Sequence, residues 1–231
     1  MLRRSLVPLG VAVLALALAA PAAAARVRVR VEGPVATIFG ATEPLVTPVT
    51  GTFAPPAGPA VTVEADTPLG ALERASRLGD FYYRVETFSF GPYVAQIGRH
   101  AGTETTGWVY KVNGASPPVS AAVYRLRAGD RVLWYHARFG PSGGPRTLEL
   151  VRFGRGCFRA FALDDAGRRH EPGEVVFQVD ARRIRTRGAP CPSGHWHQIR
   201  ATGRGLVRSR AIRVRRPLPP VAGPSLSGRP R

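Results

Sequence analysis

Val27, Val29 and Val31 alternate with Arg26, Arg28 and Arg30. This period of two, carried by β-branched residues, predicts a strand with one face buried, ended by Gly33-Pro34. Prolines 44, 48, 55, 56 and 59 then mark a loop-rich stretch, and Val61 and Val63 a short strand. One helix is legible. Thr67 is its N-cap and Pro68 its first residue; Leu69, Leu72 and Ala75 make an apolar stripe toward Leu78, and Gly79 closes it as C-cap. Strands follow at Tyr82 to Phe90, at Tyr93 to Ile97, and at Trp108 to Val112, which ends in the tight-turn pair Asn113-Gly114. Tyr124-Arg125-Leu126 leads into the turn Arg127-Ala128-Gly129-Asp130, and strands return at Arg131 to Ala137 and Thr147 to Val151. One helix among many short strands predicts an α+β domain over residues 26–152.

From 153 to 216 no helical period is present. Strands are expected at Cys157 to Phe161, at Val175 to Val179, around Ile184, around Trp196 and Ile199, and at Ala211 to Val214, with Asp164-Asp165-Ala166-Gly167 as a turn. Short, evenly spaced strands predict a small β-sandwich. The chain is thus mainly β, α+β overall. Residues 217–231, rich in Pro, Gly and Ser, have the composition of a disordered tail.

The first 25 residues read as an export signal. Arg3 and Arg4 precede an apolar run from Val11 to Ala20, Pro21 breaks it, and Ala23-Ala24-Ala25 offers a cleavage site. The run is too short to span a bilayer, which takes about 20 residues, and no later segment is apolar enough. A secreted or extracellular, surface-associated protein of bacterial type is expected. In an exported chain two cysteines, Cys157 and Cys191, read as one disulfide, and a domain of about 60 residues gains from it. The formal net charge is +18 and Lys111 is the only lysine, so arginine carries nearly all of it. Two explanations stand: a composition rich in Arg, Ala, Gly and Pro throughout, or attraction to an anionic partner such as cell-envelope polymer or lipid headgroups. Export argues against nucleic acid, as does the lack of an aromatic-and-basic platform for stacked bases. A surface protein is a further candidate partner.

The stretch Thr106-Gly107-Trp108-Val109-Tyr110-Lys111-Val112-Asn113-Gly114 and the stretch Tyr124 to Tyr135, with its Leu126-Arg127-Ala128-Gly129-Asp130 turn and Leu133-Trp134-Tyr135 ending, resemble the transcobalamin-like C-terminal domain. The opening Val27 to Gly33, the helix after Thr67 and Tyr93 to Gly98 fit the same pattern, so the resemblance covers about residues 26–152. It implies a β-grasp, ubiquitin-like fold and, as one functional expectation, cobalamin or a related corrinoid as ligand. In the vertebrate carriers a large helical domain holds the corrinoid's other side, and these 231 residues contain none. Residues 153–216 resemble bacterial immunoglobulin-like domains, chiefly through the run Gly205 to Ser209 before the last strand.

On strands, Trp108 and Tyr110 share a face, as do Trp134 and His136. Such aromatics either fill a core or form a wall for a planar ligand or sugar, with Tyr82, Tyr83, Phe88, Phe90 and Tyr93 at the rim and Tyr135 beside Trp134. His195 and His197 flank Trp196 and are the weak metal candidates, without an obvious third ligand. His100 and His136 are a second pair, brought together if their strands are neighbours. No nucleophile elbow, zinc-protease helix or phosphate-binding glycine loop is present. Asp164-Asp165 is explained by a turn, and Glu104 and Asp130 have no indicated partner. The expectation is a binding or adhesion module of the cell envelope, not an enzyme, with no cofactor unless the corrinoid reading holds.

Overall fold

A computed structural model of the chain describes residues 25–53, 60–89, 91–141, 143–154, 156–193, 196 and 198–213. The export segment ahead of Ala25, the tail, Phe90, His195 and His197 lie outside the described residues.

In the first part the elements are β1 (Val27–Glu32), β2 (Thr37–Phe39), β3 (Leu45–Val46), β4 (Gly51–Phe53), β5 (Val61–Val63), α1 (Pro68–Gly79), β6 (Tyr83–Phe88), β7 (Gly91–Ile97), β8 (His100–Ala101), β9 (Thr106–Val112) and β10 (Arg131–Arg138). The central sheet runs β2-β1-β10-β9. Its middle pair, β1 and β10, is parallel, with Arg28 opposite Arg131 and Glu32 opposite Tyr135. A mixed sheet with parallel centre strands and one helix across a face is the β-grasp arrangement. β9 lies antiparallel to β10, Trp108 opposite His136 and Tyr110 opposite Trp134. The β6-β7-β8 meander packs beside β9.

The helix forms where the sequence places it. Thr67 is extended, and its hydroxyl accepts the Gly70 N–H at 3.0 Å, satisfying one orphan donor. Leu69, Leu72 and Ala75 are buried with Val27, Val29, Val31, Trp108 and Trp134. Two details differ from the sequence reading. The left-handed cap is Asp80, at φ 49°, and Gly79 is the last helical residue. Gly79 is needed for space: a Cβ there would lie 2.7 Å from the Phe39 ring. Leu78 leaves the stripe and points to solvent.

The second part comprises β11 (Thr147–Phe153), β12 (Cys157–Leu163), β13 (Arg169–His170), β14 (Val175–Val179), β15 (Arg182–Thr186), β16 (Gln198–Thr202) and β17 (Ile212–Arg213). They form two sheets, β11-β12-β13 and β15-β14-β16-β17. Alternate residues of both turn inward, so Leu148, Leu150, Phe158, Phe177 and Ile199 make a core separate from the first. This is a small sandwich. Cys157 and Cys191 are disulfide-bonded, tying the start of β12 to the chain beyond β15. Trp196 precedes β16 and sets its ring edge-on to Phe158 at 5.4 Å. A boundary at 152/153 would cut β11, which pairs with β12 from Thr147↔Leu163 to Phe153↔Cys157. β11 and β12 form one hairpin, and Leu148 and Leu150 of β11 pack in the sandwich core.

β1 also departs from a strand with one buried face. Its second face is covered by the sandwich, and Arg30 and Glu32 are buried there. Glu32 binds Arg30 at 3.1 Å, Arg208 at 2.9 Å, Arg200 closer still, and the Thr37 hydroxyl. Glu43 takes Arg30 at 3.2 Å and Arg131 at 2.8 Å. Burial alone would raise the Glu43 carboxyl, but Arg30, Arg131 and Arg210 outweigh it and hold it below its ordinary value. Buried charges persist only when paired in this way. Lys111 is fully buried on the same face of the sheet and donates to the Asp164 carbonyl at 2.7 Å, with Asp165 3.4 Å away. Burial lowers its pKa, opposed by Asp165 and Asp164. Asp164 and Asp165 do occupy a turn, closed by Gly167 N–H to the Asp164 carbonyl. That same turn fastens the sandwich to the sheet.

Candidate functional site

β9 is the sheet's outer strand, and its register decides what its edge offers. Asn113 N–H bonds the Arg131 carbonyl and Phe139 N–H the Thr105 carbonyl. Alternation along an antiparallel ladder therefore turns the backbone of Trp108, Tyr110 and Val112 outward. Val112 N–H is closed by the Ala115 carbonyl in the Asn113-Gly114 turn, where φ is 53° and 92°. Trp108 N–H reaches the Tyr93 hydroxyl. That approach requires Gly107, whose Cβ would stand 2.4 Å from the hydroxyl. The Tyr110 N–H and C=O face a cleft of about 710 Å³.

The cleft is bounded by Pro92 and Tyr93 of β7 on one side and by Ser116-Pro117-Pro118-Val119-Ser120 on the other. Tyr110 and Trp134 line its floor, their rings 5.5 Å apart. The opposite wall is held in place by two hydrogen bonds: Tyr110 donates to the Val119 carbonyl at 2.7 Å, and Ser120 to the Pro92 carbonyl at 3.2 Å. Burial raises the Tyr110 phenol to about 12, aided by Tyr124, so it remains a donor at neutral pH. Val119, Val123 and Phe139 are exposed apolar side chains at the mouth. Among the described residues Asp165 is the one carboxylate on the lining, and it is engaged with Lys111 and Ser116. Such a surface accepts an uncharged, largely apolar group, oriented by one or two backbone hydrogen bonds.

Of the sequence candidates, Trp108, Tyr110, Tyr93, Trp134 and Tyr135 line this cleft. Trp108 and Trp134 are each only 2% exposed, so they back the cleft as core and present little ring face. Trp108 donates its indole N–H to the His100 carbonyl at 2.7 Å, and Trp134 to the Pro68 carbonyl at 3.1 Å. Tyr135 is buried on the sheet's other face. Tyr82 and Tyr83 lie elsewhere: Tyr82 is exposed beside Gln96, and Tyr83 bonds Glu73 of α1 at 2.7 Å. Phe88 sets its ring against Tyr93 at 6.0 Å. His100 and His136 do meet, with ring centres 6.3 Å apart. Among the described residues no three His, Cys, Asp or Glu side chains gather as a metal would need, and no helix is long and apolar enough to cross a membrane. Sequence reasoning missed Pro92, the 116–123 segment and Phe139. The one available signal was the Pro-Pro pair between the two aromatic motifs.

Residues 76–138 match a family model described as a domain of unknown function, DUF4430. That span contains most of the cleft and ends at the last residue of β10. No curated protein matches the chain. Among solved structures, the chain is similar to a crystal structure of a "putative metal binding protein" from Ruminococcus gnavus, with 12% identity and a TM-score of 0.31 over 50% of this chain and 99% of that one.

Proposed function

We propose that the protein is an exported, non-enzymatic binding module whose first part holds an apolar ligand in the cleft beside β9. The observation that carries this reading is the cleft itself: about 710 Å³, walled by prolines, aromatics and valines, with the Asp165 carboxylate on its lining already engaged. Export is supported by the N-terminal pattern and by the Cys157–Cys191 bond, which persists in oxidising compartments. A second reading, a corrinoid carrier component, is favoured by one specific observation. The two stretches that resemble the transcobalamin-like domain supply Tyr110 to this same cleft, with Trp108 and Trp134 packed behind it.

The test is a titration of the purified chain with cobalamin and, separately, with the apolar probe bis-ANS, following corrinoid absorbance and tryptophan fluorescence. Val123→Arg is the variant of choice, since Val123 is exposed and its loss leaves the core intact. One-site bis-ANS binding that Val123→Arg abolishes, with an unchanged unfolding midpoint, supports the cleft. Binding indifferent to Val123→Arg refutes it. Cobalamin binding at about micromolar Kd or tighter supports the carrier, and none up to about millimolar sets it aside.

A further inference from the structure

A second opening, unrelated in chemistry to the apolar cleft, lies where the two parts of the molecule meet. It encloses about 1060 Å³ between the end of β10 and the segment after it on one side, and β14, β15 and the end of β16 on the other. Arg138, Arg146 and Arg183 converge on it from three separate elements, joined by Arg208 and His136. Among the described residues the one acid on its wall is Glu32, which is fully buried and already holds Arg30, Arg200 and Arg208. Arg138, Arg146 and Arg183 are solvent-exposed and make no ion pair among the described residues, although arginines elsewhere, such as Arg159 with Glu171 and Arg169 with Glu149, do. The wall therefore carries an uncompensated positive charge.

We infer that this trough binds a phosphate-bearing, chain-like cell-envelope polymer. Guanidinium forks match phosphate oxygens in pairs, which lysine does not do, and cations drawn from several elements suit an anion that repeats along a chain. A volume near 1000 Å³ exceeds what a single phosphate fills. Among the described residues the trough lining includes no Phe, Tyr or Trp. Single-stranded nucleic acid relies on such side chains for base stacking, so the lining favours a polymer read through its charge alone. Among the described residues six glycines, Gly140, Gly143 and Gly203 among them, line the trough and let a backbone come close.

The experiment measures binding of the purified chain to deacylated polyglycerol phosphate across a salt series, with single-stranded and duplex DNA as competitors. One variant carries Arg138→Gln, Arg146→Gln and Arg183→Gln. A charge-matched control carries Arg99→Gln, Arg127→Gln and Arg187→Gln, all exposed and away from the trough. The trough variant is expected to bind at least about tenfold more weakly and to flatten the slope of log K against log salt by about 2, as for three lost phosphate contacts. The control is expected to change little. Equal losses in both variants would overturn the proposal, reducing the attraction to overall charge. DNA that displaces the polymer at lower concentration than the polymer itself would overturn it in favour of nucleic acid.

Discussion

Glu32 is the residue on which the joint between the two parts depends, and Glu32→Gln measures that dependence. The carboxylate has no exposure and faces three guanidinium groups, two of them, Arg200 and Arg208, from the sandwich. The amide keeps the shape but removes the charge and turns an N–H₂ toward the arginines. Removing one partner from a buried ion pair costs about 3–5 kcal/mol, because the remaining charge is left unpaired. Arg30 retains Glu43 at 3.2 Å, which places the expected cost at the low end, about 3 kcal/mol. For a chain of this length that lowers Tm by about 6–12 °C. Calorimetry at neutral pH is the assay, and the loss should separate one transition into two as the parts uncouple. A companion variant with Glu32, Arg200 and Arg208 all changed to Met removes the charges together and should recover much of the loss. A shift below about 2 °C in Glu32→Gln would refute the reasoning, since it would mean that water or neighbouring groups already neutralise these arginines.

Three other outcomes follow from the same structure. The Glu43 carboxyl is held below its ordinary value of 4.5; as pH falls the unfolded chain takes up the proton first, so stability present above pH 4.5 should decline below it, and Glu43→Gln should flatten that part of a Tm-against-pH curve. Reducing the Cys157–Cys191 bond, which closes a separation of 34 residues, should cost the sandwich about 3–4 kcal/mol while leaving the tryptophan fluorescence of the β-grasp part folded, as read by urea titration with and without reductant. Lys111→Ala leaves the Asp164 carbonyl without its buried donor, an expected loss of about 1–3 kcal/mol, whereas Arg187→Ala at an exposed position should change the unfolding free energy from the same urea titration by less than about 0.5 kcal/mol.

How much the chain disclosed of itself varied with the kind of interaction. The helix was legible because its signals are local: Thr67, Pro68 and the Leu69, Leu72, Ala75 spacing all lie within three turns. So were β1, β10 and the Asn113-Gly114 turn. What resisted was pairing at long range. Nothing near Arg30 or Glu32 reveals that Arg200 and Arg208 will cover them, so β1 looked like a strand with a solvent face. Gly154 and Gly156 adopt positive φ, 58° and 81°, between β11 and β12, which pair up to Phe153↔Cys157, and the boundary expected at 152/153 did not anticipate that pairing. The cleft was half legible. Aromatic residues on β9 and β10 were identifiable by alternation, but which ring faces stay open depends on how 116–123 folds back over the sheet, and that is fixed by the Tyr110–Val119 and Ser120–Pro92 bonds. Tyr82 and Tyr83 have the same composition signal as Tyr93, and only the turn of the β6-β7 hairpin separates them.

The burial of Lys111 has a practical consequence for handling the protein. With no other lysine in the chain and this one at zero side-chain exposure, the folded molecule presents no ε-amine to its surroundings. Amine-directed dyes and crosslinkers should label the native protein only at its α-amino group, and a lysine-specific protease should leave it whole. Both reagents gain a target when the sandwich lifts from the sheet, so the rate at which Lys111 becomes modified is a clock for the opening of the joint, read by mass spectrometry from a single peptide.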